Sequence, residues 1–117
     1  MIEVTLPWPS NKLSPNARLH WSKRYGASQE ARLTARLLTS AEMHQRPHWH
    51  AAEVTMTFCP PDKRRRDIDN MIASMKAATD GISDALGIDD SRFVLTYKRG
   101  EPVSKGAVKV QIEECKQ

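Results

Sequence analysis

Hydrophobic positions alternate from the second residue onward. Ile2, Val4 and Leu6 are separated by Glu3 and Thr5, which predicts a first strand with one buried face. Pro7, Pro9 and Pro15 then punctuate a loop expected to run to about Tyr25. A first helix is expected over residues 28–44, with Ser28 as its N-cap and Glu30 in its first turn. Leu33, Leu37, Leu38 and Ala41 form its apolar stripe, and Arg32 and Arg36 lie a turn apart on a more polar face. Val54, Met56 and Phe58 alternate with Glu53, Thr55 and Thr57 as a second strand, which Cys59-Pro60-Pro61 ends abruptly.

The strongest periodicity follows. Ile68, Met71, Ile72, Met75, Ala78, Ile82 and Leu86 recur at spacings of three and four, predicting one helix that Gly87 terminates. Its methionines read as core or as a dimer seam. Two more strands are expected over 93–98 and 108–112, the latter from the alternation of Val108, Val110 and Ile112, joined as a hairpin by a turn over 100–106. The order β-α-β-α-β-β predicts an α+β fold: a single two-layer domain over 1–117, a mixed four-stranded sheet with helices packed on it.

Length agrees with this picture, since 117 residues fit one domain and support a core that small domains of this kind often extend by pairing. Eighteen Lys and Arg stand against 14 Asp and Glu, a net charge of +4. That excess is compatible with a polyanionic partner, though its distribution matters more than its total. Aromatic residues make up only 6%, so extensive base stacking is not the obvious binding mode. Cys59 and Cys115 form no metal or redox motif, and a reduced intracellular setting follows. No apolar run approaches the roughly 18 residues of a membrane span, and the first residues lack the layout of a signal peptide. A soluble, cytoplasmic protein is expected.

Charge is concentrated at two places. The N-terminal loop carries Lys12, Arg18, Lys23 and Arg24 together with Asn11, Asn16, His20 and Trp21, a composition that suits either a phosphate backbone or a solvated surface. The second place is Asp62-Lys63-Arg64-Arg65-Arg66-Asp67-Ile68-Asp69-Asn70. Four consecutive cations taken alone would read as a solvated loop, but two carboxylates follow at once. In extended backbone, residues i and i+2 point the same way, roughly 6 to 7 Å apart, so Asp67 and Asp69 can converge on one ion if Asp67 precedes the first helical turn. The competing role is helix capping, with Asn70 as a further local hydrogen-bonding group. Oxygen ligands without His or Cys select Mg²⁺ or Mn²⁺ over Zn²⁺. A third carboxylate is sought at Asp89-Asp90, where a polar turn is the plainer alternative. A metal beside arginines reverses the local repulsion of phosphate, which is what phosphodiester hydrolysis needs. His44, His48 and His50 read as surface or strand-edge residues.

Arg64-Arg65-Arg66-Asp67-Ile68-Asp69-Asn70 and, one helix later, Ile88-Asp89-Asp90-Ser91 resemble the RusA family of Holliday junction resolvases. Thr5-Leu6-Pro7-Trp8-Pro9-Ser10-Asn11 and Pro102-Val103-Ser104-Lys105-Gly106 are similar to that family's segments in the same order, so the likeness spans nearly the whole chain. It implies a homodimeric endodeoxyribonuclease that uses Mg²⁺, with Mn²⁺ as a substitute, to resolve four-way DNA junctions by paired symmetric nicks in recombination and repair. Asp67, Asp69 and Asp90 would be catalytic metal ligands, and Asp89 and Asn70 auxiliary. Lys63, Arg64, Arg65, Arg66, Asn11, Arg18, Lys23 and Arg24 would hold DNA. The family's lysine three residues after the motif Asn is here Ala73, leaving Lys76 as the nearest candidate, on a shared helical face with Ala73 or else simply paired with Asp80. Two rivals are a non-catalytic junction-binding or architectural protein, with the aspartates as caps, and a related nuclease acting on other branched DNA or RNA.

Overall fold

A computed structural model describes residues 1–116. Four strands and three helices run in the order β1 (Ile2–Pro7), α1 (Trp21–Ala41), β2 (Ala52–Cys59), α2 (Ile68–Ala73), α3 (Lys76–Leu86), β3 (Phe93–Arg99) and β4 (Ala107–Glu114), with 3-10 turns at Asn11–Leu13 and Asp90–Arg92. The expected α+β class, element order and mixed four-stranded sheet are all present.

The sheet is ordered β1-β4-β2-β3. β4 pairs antiparallel with both β1 and β2, and β3 pairs parallel with β2, with Phe93 beside Ala52 and Arg99 beside Phe58. The hairpin expected between the last two strands is therefore absent. A parallel pair needs a long crossover, which α2 and α3 provide. The 100–106 segment then crosses the end of β2, donating from Gly100 N–H to the Phe58 carbonyl (2.8 Å) and from Val103 N–H to the Pro60 carbonyl (2.9 Å). β4 is the central strand that its fully buried Val108, Val110 and Ile112 require, and β3 is an edge, with Val94 and Leu95 exposed.

One face of the sheet is apolar and covered. Val4, Leu6, Val54, Met56, Phe58, Val108, Val110 and Ile112 pack beneath Met71, Met75, Ile82 and Leu86 of the helices. The other face carries Glu3, Thr5, Glu53, Lys109 and Gln111, so the domain has two layers.

Two helices differ from expectation. α1 begins at Trp21, seven residues before Ser28, because the His20 ring nitrogen Nδ1 accepts the Ser22 N–H (3.2 Å) and no proline follows until Pro47. The loop composition of 16–25 concealed a helix start whose polar and aromatic residues face solvent. Its expected leucine stripe also points outward: Leu33 and Leu37 are more than half exposed, while Ala35 and Thr39 are buried. The cause is close helix contact. A Cβ at Gly81 of α3 would lie 2.2 Å from the Arg32 carbonyl and 2.9 Å from the Ala35 Cβ, so only small side chains fit between α1 and α3. A bidentate pair, Arg32 to Asp84 at 2.7 and 2.9 Å, ties the rims of this contact.

The single helix expected over 68–86 is two. Ser74 and Met75 separate α2 from α3, and the Ser74 and Thr79 hydroxyls donate to the Asn70 and Met75 carbonyls, both at 2.8 Å. Such back-bonding bends helices. The break removes the argument that Asp69, Ala73 and Lys76 share one continuous helical face. At the far end Gly87, at φ 70°, closes α3 as expected.

Candidate nucleic-acid interface and acidic cluster

The loop leaving β2 folds around its own acid. The Asp62 carboxylate accepts from Arg64 N–H (2.9 Å), meets Arg66 Nη1 at 2.9 Å and meets Arg64 Nη2 at 3.3 Å. These donors, the Arg66 side chain first, hold the Asp62 carboxyl well below the usual carboxylate range. Arg66 also donates to the Asp62 and Arg64 carbonyls and stands 5.6 Å from the Trp8 ring centroid. Its side chain is only 18% exposed, so Arg66 is a fixed part of the loop, whereas Arg64 is 81% exposed although it too touches Asp62. Lys63 and Arg65 are exposed as well.

This loop closes a cleft of about 260 Å³ lined by Arg64, Arg65, Arg66 and Arg99 over Phe58 and Met71. Arg99 donates to the Arg66 carbonyl at 3.1 Å. Sequence reasoning missed Arg99 because a hairpin would have carried it away from the loop. Parallel pairing instead brings it beside Phe58, where the loop departs. Four arginines line this one small cleft, two of them, Arg64 and Arg66, sharing the Asp62 carboxylate.

Asp67 has extended backbone (φ −80°, ψ 121°) and so lies before the first helical turn, as a convergent carboxylate pair requires. Its side chain nevertheless caps α2, accepting the Asp69 N–H at 3.1 Å. Asp69 stands exposed in the first turn, and Asn70 enters the contacts through its carbonyl, which accepts from Ser74. Asp89 is likewise a cap: its carboxylate accepts the Ser91 N–H (3.0 Å) and the Ser91 hydroxyl, and these bonds lower its pKa. Asp90 faces Lys76, whose ammonium is 2.8 Å from Asp90 Oδ2 and 3.1 Å from Asp80 Oδ1. The hydrogen bond that Lys76 donates to Asp90, then the one it donates to Asp80, raises the Lys76 pKa. The expected pair with Asp80 is present, and the same ammonium also holds Asp90.

The carboxylates are the right donors for a hard ion, but they are not gathered. Among the described residues no group of three or more His, Cys, Asp or Glu side chains is close enough to hold a metal ion. The Asp67 carboxylate is turned to the Asp69 N–H and the Asp90 carboxylate to Lys76. As folded, Asp67, Asp69 and Asp90 do not form a ready-made ion site.

The N-terminal candidates lie around the start of α1, exposed except for the half-buried Arg24. Asn11 opens the 3-10 turn capped by Ser10, Arg18 and Lys23 face solvent, and Arg24 donates to the Ala17 carbonyl at 2.7 Å. His44, His48 and His50 are exposed, as expected. No helix is long and apolar enough among the described residues to cross a membrane.

No protein-family model matches the chain. It is similar to an uncharacterized protein of Xylella fastidiosa (strain Temecula1 / ATCC 700964), with 44% identity over 102 residues, covering 80% of this chain and 63% of that protein. The chain thus spans less than two thirds of the length of the relative it matches.

Proposed function

We propose that the chain is an Mg²⁺-dependent, structure-specific endodeoxyribonuclease that acts as a cytoplasmic homodimer on four-way junctions in DNA recombination and repair. The observation that carries this reading is the arginine-lined cleft of Arg64, Arg65, Arg66 and Arg99, whose loop runs directly into the exposed Asp67 and Asp69. The cleft grips a backbone phosphate through charge and forked hydrogen bonds. The helix start then presents carboxylates beside the neighbouring phosphodiester. Asp67, Asp69 and Asp90 are the groups offered to Mg²⁺, with Mn²⁺ as a substitute, and the ion when bound neutralises phosphate charge. Lys76 supplies a second positive charge next to Asp90. Exposed Leu33 and Leu37 on α1 and Val94 and Leu95 on β3 support pairing of two copies.

A second reading is favoured by the capping bond of Asp67 and the dispersed carboxylates: a junction-binding protein without catalysis. Product mapping on four-way junctions, forks, flaps, linear duplex and RNA, with and without Mg²⁺, separates these. Two symmetric, religatable nicks confined to the four-way junction support the nuclease. Tight binding without nicking in either Mg²⁺ or Mn²⁺ would leave the architectural protein.

A further inference from the structure

We infer that the first two turns of α1 are a stacking platform for unpaired bases of a single-stranded DNA segment. Trp21 and Tyr25 are one turn apart on the same helical face and are 71% and 60% exposed. The His20 ring lies against Trp21 with centroids 5.6 Å apart and planes tilted by 35°. Large rings left in water at adjacent positions leave apolar area that a flat, apolar partner would cover.

Charge selects that partner. Between Val4 and Gln29 there is no acidic residue, while Lys12, Arg18, Lys23 and Arg24 are all basic, and the first turn of α1 contains no acid to offset its positive end. An isologous contact with a second copy would bring two such surfaces together, which like charge opposes. A phosphate chain is attracted instead. Duplex DNA hides its base faces, so only unpaired bases use both features, with the rings taking base planes and the cations tracking the backbone. The inference rests on the DNA-processing reading above, in which bases at an opened branch point lose their stacking partners.

The test compares the full chain with a Trp21→Ala/Tyr25→Ala variant and a Trp21→Phe/Tyr25→Phe variant, in EDTA so that nothing is cut. Dye-labelled oligo-dT and a fully paired hairpin are the probes, read by fluorescence anisotropy. Removal of both rings is expected to weaken oligo-dT binding by about tenfold or more while changing hairpin binding less than about twofold, and the Phe variant keeps most of the affinity. Equal losses on both probes, or no loss on oligo-dT, overturn the platform. So does conversion of the Ala variant to a smaller species in sedimentation, which would assign the rings to a protomer interface. Ring-dependent oligo-dT binding by a chain that never nicks junctions would sink only the nuclease. Junction nicking together with ring-independent oligo-dT binding would sink only the platform.

Discussion

The Lys76 ammonium sits 2.8 Å from the Asp90 carboxylate, holding the start of α3 against the turn that leads into β3. Asp80 shares the same ammonium at 3.1 Å, so Lys76 occupies the place between two carboxylates where a cation is most favoured. A lysine so placed both neutralises Asp90 and competes with any ion for it. Lys76→Met is expected to tighten Mn²⁺ binding several-fold, measured by calorimetry or paramagnetic relaxation. It is also expected to slow junction cleavage by about 10- to 100-fold, because positive charge near the phosphoryl group is lost. Unchanged ion affinity would show that Lys76 does not compete for Asp90.

Asp67 and Asp69 separate by stability. Asp67→Ala removes the cap of α2 and is expected to cost about 0.5 to 2 kcal/mol, whereas Asp67→Asn keeps a capping oxygen and costs little. Among the described residues nothing donates to the Asp69 carboxylate, so Asp69→Asn is expected to leave thermal stability and junction binding intact while abolishing cleavage in Mg²⁺. Full cutting by Asp69→Asn refutes its assignment as a metal ligand, and loss of cutting by Asp67→Asn at unchanged melting temperature gives Asp67 a role beyond capping.

Arg99 contributes one cation to the cleft without lying in the basic run. Arg99→Ala is expected to weaken binding to all DNA sequences alike and to reduce the slope of log affinity against log salt by about one. Titrations at several salt concentrations measure it. An unchanged slope removes Arg99 from the phosphate contact.

Gly81 is required by the α1–α3 crossing. Gly81→Ala forces a methyl to within 2.2 Å of the Arg32 carbonyl, so the helices must separate. A loss of about 1 to 3 kcal/mol is expected despite alanine's better helix propensity, and denaturant melts would reveal it.

The Arg32–Asp84 pair gives this crossing a pH dependence. The hydrogen bond from Arg32 lowers the Asp84 pKa in the fold relative to the unfolded chain. Its contribution is therefore complete above the unfolded carboxylate value, near 3.8, and is lost as pH falls through the depressed folded value. Asp84→Asn should melt lower than the parent at pH 7, with the difference closing at strongly acidic pH. A gap that persists there assigns the effect to packing.

The alternation of β1, β2 and β4 was legible because one buried face imposes a period of two, and this was enough for fold class and element order. Pairing was not legible: a Gly-bounded seven-residue loop suits a hairpin as well as a crossing over the end of β2, and only the tertiary fold decides. α1 misled in the opposite sense. Its leucines repeat at helical spacing yet face outward, since a contact as close as Gly81–Arg32 admits alanine and threonine but not leucine. At the candidate site the basic run and the position of Asp67 ahead of the first helical turn were readable. The arrival of Arg99 was not, because it depends on strand order, and neither were the tether of Arg66 by Asp62 and the engagement of Asp90 by Lys76, which depend on how the loop and the turn after α3 fold back.

Placing β4 between β1 and β2 has a consequence for synthesis. The two strands made first cannot pair with each other, and the strand that fills the gap between them is translated last of the four. Long-range pairing of this kind folds late and slowly. Until residues 107–114 leave the ribosome, β1 and β2 expose unsatisfied edges, and the arginine cleft, whose loop hangs from β2, has no settled floor. The domain therefore completes its arginine-lined cleft only after the last strand has been made, and truncation within β4 removes the middle of the sheet, not its margin.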